Sequence, residues 1–319
     1  MERYISDKGR VRISAIDIGT NTILLLIADI DEKKKIITIR DEIRTPRLGE
    51  GINKSGIIID SALKRTIDNL LEFENIISTN NVNLSTVCGT AVFRDSLNKN
   101  SVISTIKSKT GISVEVIDSK EESRLSFRGV LSSGHFAENE SVVIDIGGGS
   151  TEIAYMADGK IKSYSLPLGA VKLTEQFFTN IPPAKSEISR MINHINKEIE
   201  NIDLENISSK KLIGVAGTPI TLACLDKKLQ YFDRNAIDAH SISFQKILNW
   251  EKLLSTLTPL EIKSLSKCTE GREDILTTGV IILTEVMKKY HFNEMIVSTR
   301  GLRYGLILRE WECYKNNLK

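Results

Sequence analysis

A short pattern occurs twice in this chain, and the repetition limits its fold more than any other feature. Asp17-Ile18-Gly19-Thr20-Asn21-Thr22 and Asp145-Ile146-Gly147-Gly148-Gly149-Ser150-Thr151 each place an aspartate at a strand end and a glycine turn after it. Runs of β-branched and apolar residues flank both. Val11–Ile18, Ile23–Ile30 and Lys35–Ile43 read as three strands of a meander, with Asp31–Lys34 as a charged turn. Val142–Ile146, Thr151–Met156 and Lys160–Leu166 repeat it, and Asp158-Gly159 suits the hairpin turn between the last two. After each meander, strand patterns alternate with helical ones: Ile58–Ser78 and Val102–Lys109 in the first half, Glu187–Glu200, Phe244–Leu257 and Asp274–Tyr290 in the second. The expectation is a duplicated α/β domain, divided into residues 1–124 and 125–319, the second carrying a terminal helix. The total of 319 residues is also more than one core usually serves. A ligand in the cleft between two such domains would be gripped by both turns.

Bulk properties remove several classes of function. Lys and Arg total 43 against 41 Asp and Glu, a net charge of +2, so no global field marks a nucleic-acid or membrane-surface binder, and any anion site must be local. Cys88, Cys224, Cys268 and Cys313 lie far apart and the four histidines lack zinc-ligand spacing, which reads as reduced cytoplasmic thiols. Asp17, Asn21 and Asp29 interrupt the longest early apolar stretch, so neither a signal peptide nor a membrane span is expected.

The turns suggest phosphate. A tight glycine turn between strands aims consecutive backbone N–H groups at an anion, and Thr20, Asn21, Thr22, Ser150 and Thr151 add side-chain donors beside Gly19, Gly147, Gly148 and Gly149. Asp17, Asp145 and Glu152 lie next to these turns, and three carboxylates near phosphates suit Mg²⁺, with Mn²⁺ as a substitute. No Gly-Lys-Ser/Thr follows either turn, and neither has the dinucleotide Gly-x-Gly-x-x-Gly spacing.

These residues resemble the exopolyphosphatase / guanosine pentaphosphate phosphohydrolase (Ppx/GppA) family of the actin, sugar-kinase and heat-shock-chaperone ATPase superfamily. The resemblance spans nearly the whole chain. It rests on Ala15–Thr22, Arg47-Leu48-Gly49-Glu50-Gly51, Gly89–Arg94, Glu121-Glu122-Ser123-Arg124-Leu125, Asp145–Glu152, Leu168–Glu175, Ala216-Gly217-Thr218 and Gly301-Leu302-Arg303-Tyr304-Gly305. It implies duplicated ribonuclease H-like domains, the short two-domain form of the family, and hydrolysis of terminal phosphoanhydride bonds. It also implies Glu122 as general base, Mg²⁺ near the aspartates, phosphate contacts from the glycine turns, and a homodimer. Ser123 replaces the family's usual alanine, and Tyr304 stands where a glutamate is common. Gly217 and Thr218 occupy a glycine element that contacts ligand in the superfamily.

Each functional reading has an ordinary alternative. Ser119-x-x-Glu122 ahead of an apolar helix face is a capping-box pattern, which would spend Glu122 on a helix start. Arg94 is read as a phosphate clamp against the ordinary alternative of a solvated or carboxylate-paired arginine, while Arg47 and Lys172 suit phosphate but could equally be solvated or paired. The expected substrate is inorganic polyphosphate, or a polyphosphorylated nucleotide such as guanosine pentaphosphate. The rivals are a kinase of the same superfamily, which needs an acceptor-activating aspartate, and a nucleotide-gated scaffold.

Overall fold

A computed structural model describes residues 10–200, 202, 204, 207 and 209–317. In chain order the elements are β1 (Val11–Ile18), β2 (Ile23–Ile30), β3 (Ile36–Arg44), α1 (Ile52–Ser55), α2 (Asp60–Ser78), β4 (Leu84–Gly89), α3 (Ala91–Asp95), α4 (Lys99–Thr110), β5 (Glu115–Val116) and α5 (Ser119–Leu131). There follow β6 (Ser141–Ile146), β7 (Thr151–Ala157), β8 (Lys160–Leu166), α6 (Ala170–Phe177), α7 (Lys185–Glu200), β9 (Lys211–Val215), α8 (Gly217–Asp226), α9 (Arg234–Ile237) and β10 (Ser241–Ser243). The chain closes with α10 (Phe244–Leu254), α11 (Pro259–Leu265), α12 (Leu276–Lys289), β11 (Glu294–Val297) and α13 (Leu302–Asn316).

Two sheets repeat one topology. The first runs β3-β2-β1-β4-β5; the second, β10-β11-β9-β6-β7-β8, contains the same order read from its other end, β8-β7-β6-β9-β11, with β10 added outside. The pairing senses agree as well. β1–β2 and β2–β3 are antiparallel while β1–β4 and β4–β5 are parallel. β6–β7 and β7–β8 are antiparallel while β6–β9 and β9–β11 are parallel. This is the duplicated ribonuclease H-like arrangement that the repeated meander predicts.

The chain divides into two compact units, one running to Gly134 and resuming at Arg300, the other spanning His135–Thr299. The units divide the chain differently from the expected boundary after Arg124: α5 and α13 both belong to the first unit. The reason is backbone contact that only glycine permits. A Cβ on Gly129 of α5 would lie 2.0 Å from Gly301 O, and one on Gly305 of α13 would lie 2.1 Å from Leu125 O. Glycine inside a helix costs about 1 kcal/mol against alanine, here offset by the helix packing that the missing side chains allow.

In the first unit, strand alternation separates two cores. Ile13 and Ala15 of β1 join Leu125, Leu306 and Ile307 under α5 and α13, while Ile16 and Ile18 join Leu70 and Phe73 of α2 on the other face. The buried residues Ala62, Thr66, Leu70 and Phe73 form one stripe along α2 at helical spacing. In the second unit, α7, α8 and α12 bury Met191, Ile195, Leu222, Val280 and Leu283 in one core with β6 and β7.

Candidate active site

In the first unit the chemistry gathers at the ends of parallel strands, where open α/β sheets commonly bind ligands. β1 ends at Ile18 beside Gly89 of β4, and Gly89 pairs with Val116 of β5. Three connections leave from this edge: the Gly19–Thr22 turn, Thr90 into α3, and Ile117-Asp118 into α5. Thr90 N–H donates to Ile18 O at 3.2 Å and Ile117 N–H to Gly89 O at 3.2 Å, so the backbone ties the three together.

The two glycine turns are built alike. Gly19 N–H donates to Thr22 O at 3.0 Å, and Gly147 N–H donates to Ser150 O at 2.9 Å. A second glycine braces each turn. A Cβ on Gly49 would lie 2.3 Å from Thr20 Cγ2, and one on Gly169 would lie 2.2 Å from Gly148 O. Gly49 N–H donates to Thr20 O at 2.9 Å and Arg47 N–H to Asn21 O at 3.0 Å; opposite the other turn, Ala170 N–H donates to Gly147 O and both Val171 and Lys172 N–H to Gly148 O. The motifs Arg47-Leu48-Gly49 and Leu168-Gly169-Ala170 are thus the structural counterparts of one another.

The turns differ in which donors remain. Among the described residues no hydrogen bond engages the N–H groups of Gly148 and Gly149. The neighbouring hydroxyls are spent inside the protein, however: Ser150 Oγ donates to Glu152 Oε1 at 2.6 Å and Thr151 Oγ1 donates to Leu168 O. In the other turn Thr20 Oγ1 is buried and finds no partner among the described residues, leaving it for a ligand. Asn21 is also buried.

Glu122 is not a capping residue. The N-cap of α5 is Asp118, whose side chain accepts from Glu121 N–H at 2.8 Å, and Glu121 pairs with Arg124. Glu122 lies one position beyond that box, 8% exposed, and its Oε2 accepts from Arg94 Nη1 at 2.7 Å. Arg94 also donates to Ile117 O at 3.0 Å. The arginine read from the sequence as a phosphate clamp is therefore held by the carboxylate read as the base. Cys88 is beside Asp17 in the strand register, and burial pushes its thiol well up, with Asp17 and Glu122 adding to the effect.

The three-carboxylate metal set is gathered only in part. Asp145 and Glu152 face each other across β6 and β7, so both carboxylates leave the same sheet face beside the glycine turn. Asp17 lies in the other unit, opposite Leu24 and Cys88. Among the described residues no group of three or more His, Cys, Asp and Glu stands at metal-binding spacing. A carboxylate pair does suit Mg²⁺, which keeps waters and commonly takes one or two carboxylates together with substrate phosphates.

The element after β9 carries a residue that pattern reading passed over. Gly217 opens α8, and a Cβ there would lie 1.9 Å from the guanidinium of Arg272. Burial lowers the Arg272 pKa to about 10, and no carboxylate among the described residues pairs with it. Ala216, just before, has φ of 68° and ψ of −166°, a strained conformation of the kind that collects at ligand sites. Thr218 packs instead against Gly279 of α12. Arg272 could have been found from Gly271-Arg272-Glu273-Asp274, a polar run directly ahead of the apolar α12. Tyr304 is buried in α13, its hydroxyl 2.7 Å from Thr38 Oγ1, a packing role in the first unit.

Known proteins share this arrangement. An exopolyphosphatase from Cytophaga hutchinsonii superposes with a TM-score of 0.84 at 29% identity over 93% of this chain and 96% of that one. Exopolyphosphatase 2 of Mycobacterium tuberculosis is 28% identical over 313 residues, covering 93% of this chain and 98% of the relative. A bifunctional 3-dehydroquinate synthase/phosphatase of Fusobacterium nucleatum is 33% identical over 311 residues; this chain spans 46% of its length. The profile described as the Ppx/GppA phosphatase family matches residues 26–313, a stretch that takes in the second half of β2, both brace glycines, Arg94, Glu122, the Gly147–Ser150 turn and Arg272. With the duplicated sheet, the paired turns and that match together, the chain belongs to the Ppx/GppA phosphatase family.

Proposed function

We propose that this chain is an exopolyphosphatase, cleaving the terminal phosphoanhydride bond of inorganic polyphosphate and releasing orthophosphate. The observation that carries the reading is the placement of Glu122: a buried carboxylate at a helix start, relieved of capping by Asp118, on the sheet edge that bears the Gly19–Thr22 turn. A glutamate in that position can accept a proton from water, whereas a kinase would need its acid to face an acceptor hydroxyl. The names of the mycobacterial relatives support polyphosphate as substrate.

In this reading each part of the chain has a task. In the first unit the Thr20 hydroxyl is a donor for phosphate oxygens, and in the second the N–H groups of Gly148 and Gly149 are. Arg94 and Arg272 meet the phosphate charge, with Arg272 held against the strained start of α8. Asp145 and Glu152 hold Mg²⁺, and the Ser150 and Ser165 hydroxyls donating to Glu152 Oε1 fix the orientation of that carboxylate. When bound, the metal would neutralise charge on the transferred phosphoryl group. Glu122 orients the attacking water and takes its proton.

A homodimer in the cytoplasm completes the proposal. Among the described residues no helix is long and apolar enough to cross a membrane. The test of substrate is phosphate release from polyphosphate, ATP and guanosine pentaphosphate, side by side with Mg²⁺ present. Polyphosphate should be the best of the three; preferential release from guanosine pentaphosphate would move the activity to the nucleotide, and release from none of the three would end the hydrolase reading.

A further inference from the structure

Arg94 stands between two partners. Its side chain is one-fifth exposed, and Glu122 is its only carboxylate partner among the described residues. The pair is anchored on both sides, by Ile117 O beneath Arg94 and by the first turn of α5 beneath Glu122. A carboxylate held by a guanidinium at 2.7 Å is stabilised as the ion and has a lone pair occupied, which makes it a poor acceptor for a proton from water. A terminal phosphate, by contrast, offers three oxygens and more negative charge than one carboxylate, and it matches the guanidinium fork.

We propose that Arg94 masks Glu122 in the ligand-free protein, and that a bound phosphate takes over the guanidinium and releases the carboxylate. The general base is then exposed only when a phosphoanhydride is in place. Arg94 acts as a positioning residue toward Glu122 and as a ligand toward phosphate, in alternation. No bond is made or broken in the exchange; one ion pair replaces another. The inference rests on the reading of Glu122 as the base and of this sheet edge as a phosphate site.

The exchange predicts an energetic coupling that neither role alone produces. Phosphate must compete with Glu122 for Arg94, so removing the carboxylate should free the arginine and tighten binding. Isothermal titration with methylenediphosphonate, which cannot be hydrolysed, would compare the wild-type chain, Glu122→Gln, Arg94→Gln and the double variant. Glu122→Gln should tighten binding roughly tenfold when Arg94 is present and about twofold or less when it is absent, the non-additivity expected of groups in contact. Equal tightening in both backgrounds would mean simple charge repulsion and would overturn the exchange. No tightening in either would do the same. Failure of all four proteins to bind the phosphonate would instead overturn the phosphate site itself, and the exchange with it. Arg94→Lys provides a second background should Arg94→Gln fail to fold: it keeps the charge without the fork, and the coupling should shrink but persist.

Discussion

Gly169→Ala tests the brace behind the second phosphate turn. The added Cβ would lie 2.2 Å from Gly148 O and 2.3 Å from Gly149 C, where ordinary contact begins at 3.4 Å. Both atoms are backbone, so no side chain can rotate away; the turn must move by about 1 Å or the brace must open. A displacement of that size at a positioning element can cost about 10²-fold in rate. Overpacking of this kind costs about 1–3 kcal/mol in stability. Orthophosphate release at saturating polyphosphate, with urea unfolding of the same preparation, would separate the two effects. Gly111→Ala is the control: Gly111 ends α4 with φ of 75° and has nothing within 4 Å of its added Cβ. It should lose about 1–2 kcal/mol for the left-handed conformation and keep its turnover. Wild-type turnover in Gly169→Ala, or an equal loss in Gly111→Ala, would refute the claim that the brace sets the turn.

Three further outcomes are expected. Excess EDTA should abolish phosphate release, and Asp145→Ala and Glu152→Ala should raise the Mg²⁺ needed for half-maximal rate, while Asp158→Ala in the hairpin, with a 90% exposed side chain, should not. Arg272→Ala should weaken polyphosphate binding by about 10- to 100-fold, the range for losing a charge-assisted contact, with the fold intact by circular dichroism. Burial raises the Cys88 and Cys224 thiols, so on raising the pH the unfolded chain ionises first: stability is full below about pH 8.5 and declines above it, by up to about 1.4 kcal/mol per pH unit for each thiol. Urea unfolding between pH 8.5 and 9.5 should show a shallower decline in Cys224→Ala.

Local chemistry was readable from the sequence wherever it depended on consecutive residues. The strand meanders, the two glycine turns and the Asp158-Gly159 hairpin, whose φ values of 52° and 69° suit the expected turn, all follow from short patterns. Contacts between distant segments were not readable. Arg94 and Glu122 are 28 residues apart, and nothing in either motif says that one holds the other. The capping pattern at Ser119 failed for a related reason: Asp118, one residue earlier, is the better placed acceptor, which moves Glu122 out of the box. The division differs from the one expected after Arg124 because α5 and α13 meet through Gly129, Gly301 and Gly305, a contact between segments about 170 residues apart that no local pattern announces. Arg272 escaped notice because a lone arginine gives no pattern until Gly217 is seen against it.

The central claim is that Glu122 activates water for phosphoanhydride hydrolysis, and the initial rate of orthophosphate release by Glu122→Gln tests it most directly. Measured with polyphosphate and Mg²⁺ against the wild-type chain, with circular dichroism on both, the rate should fall by roughly 10²- to 10⁴-fold while the spectra coincide. A rate within about threefold of wild type, in a protein with an unchanged spectrum, would leave Glu122 without a catalytic role.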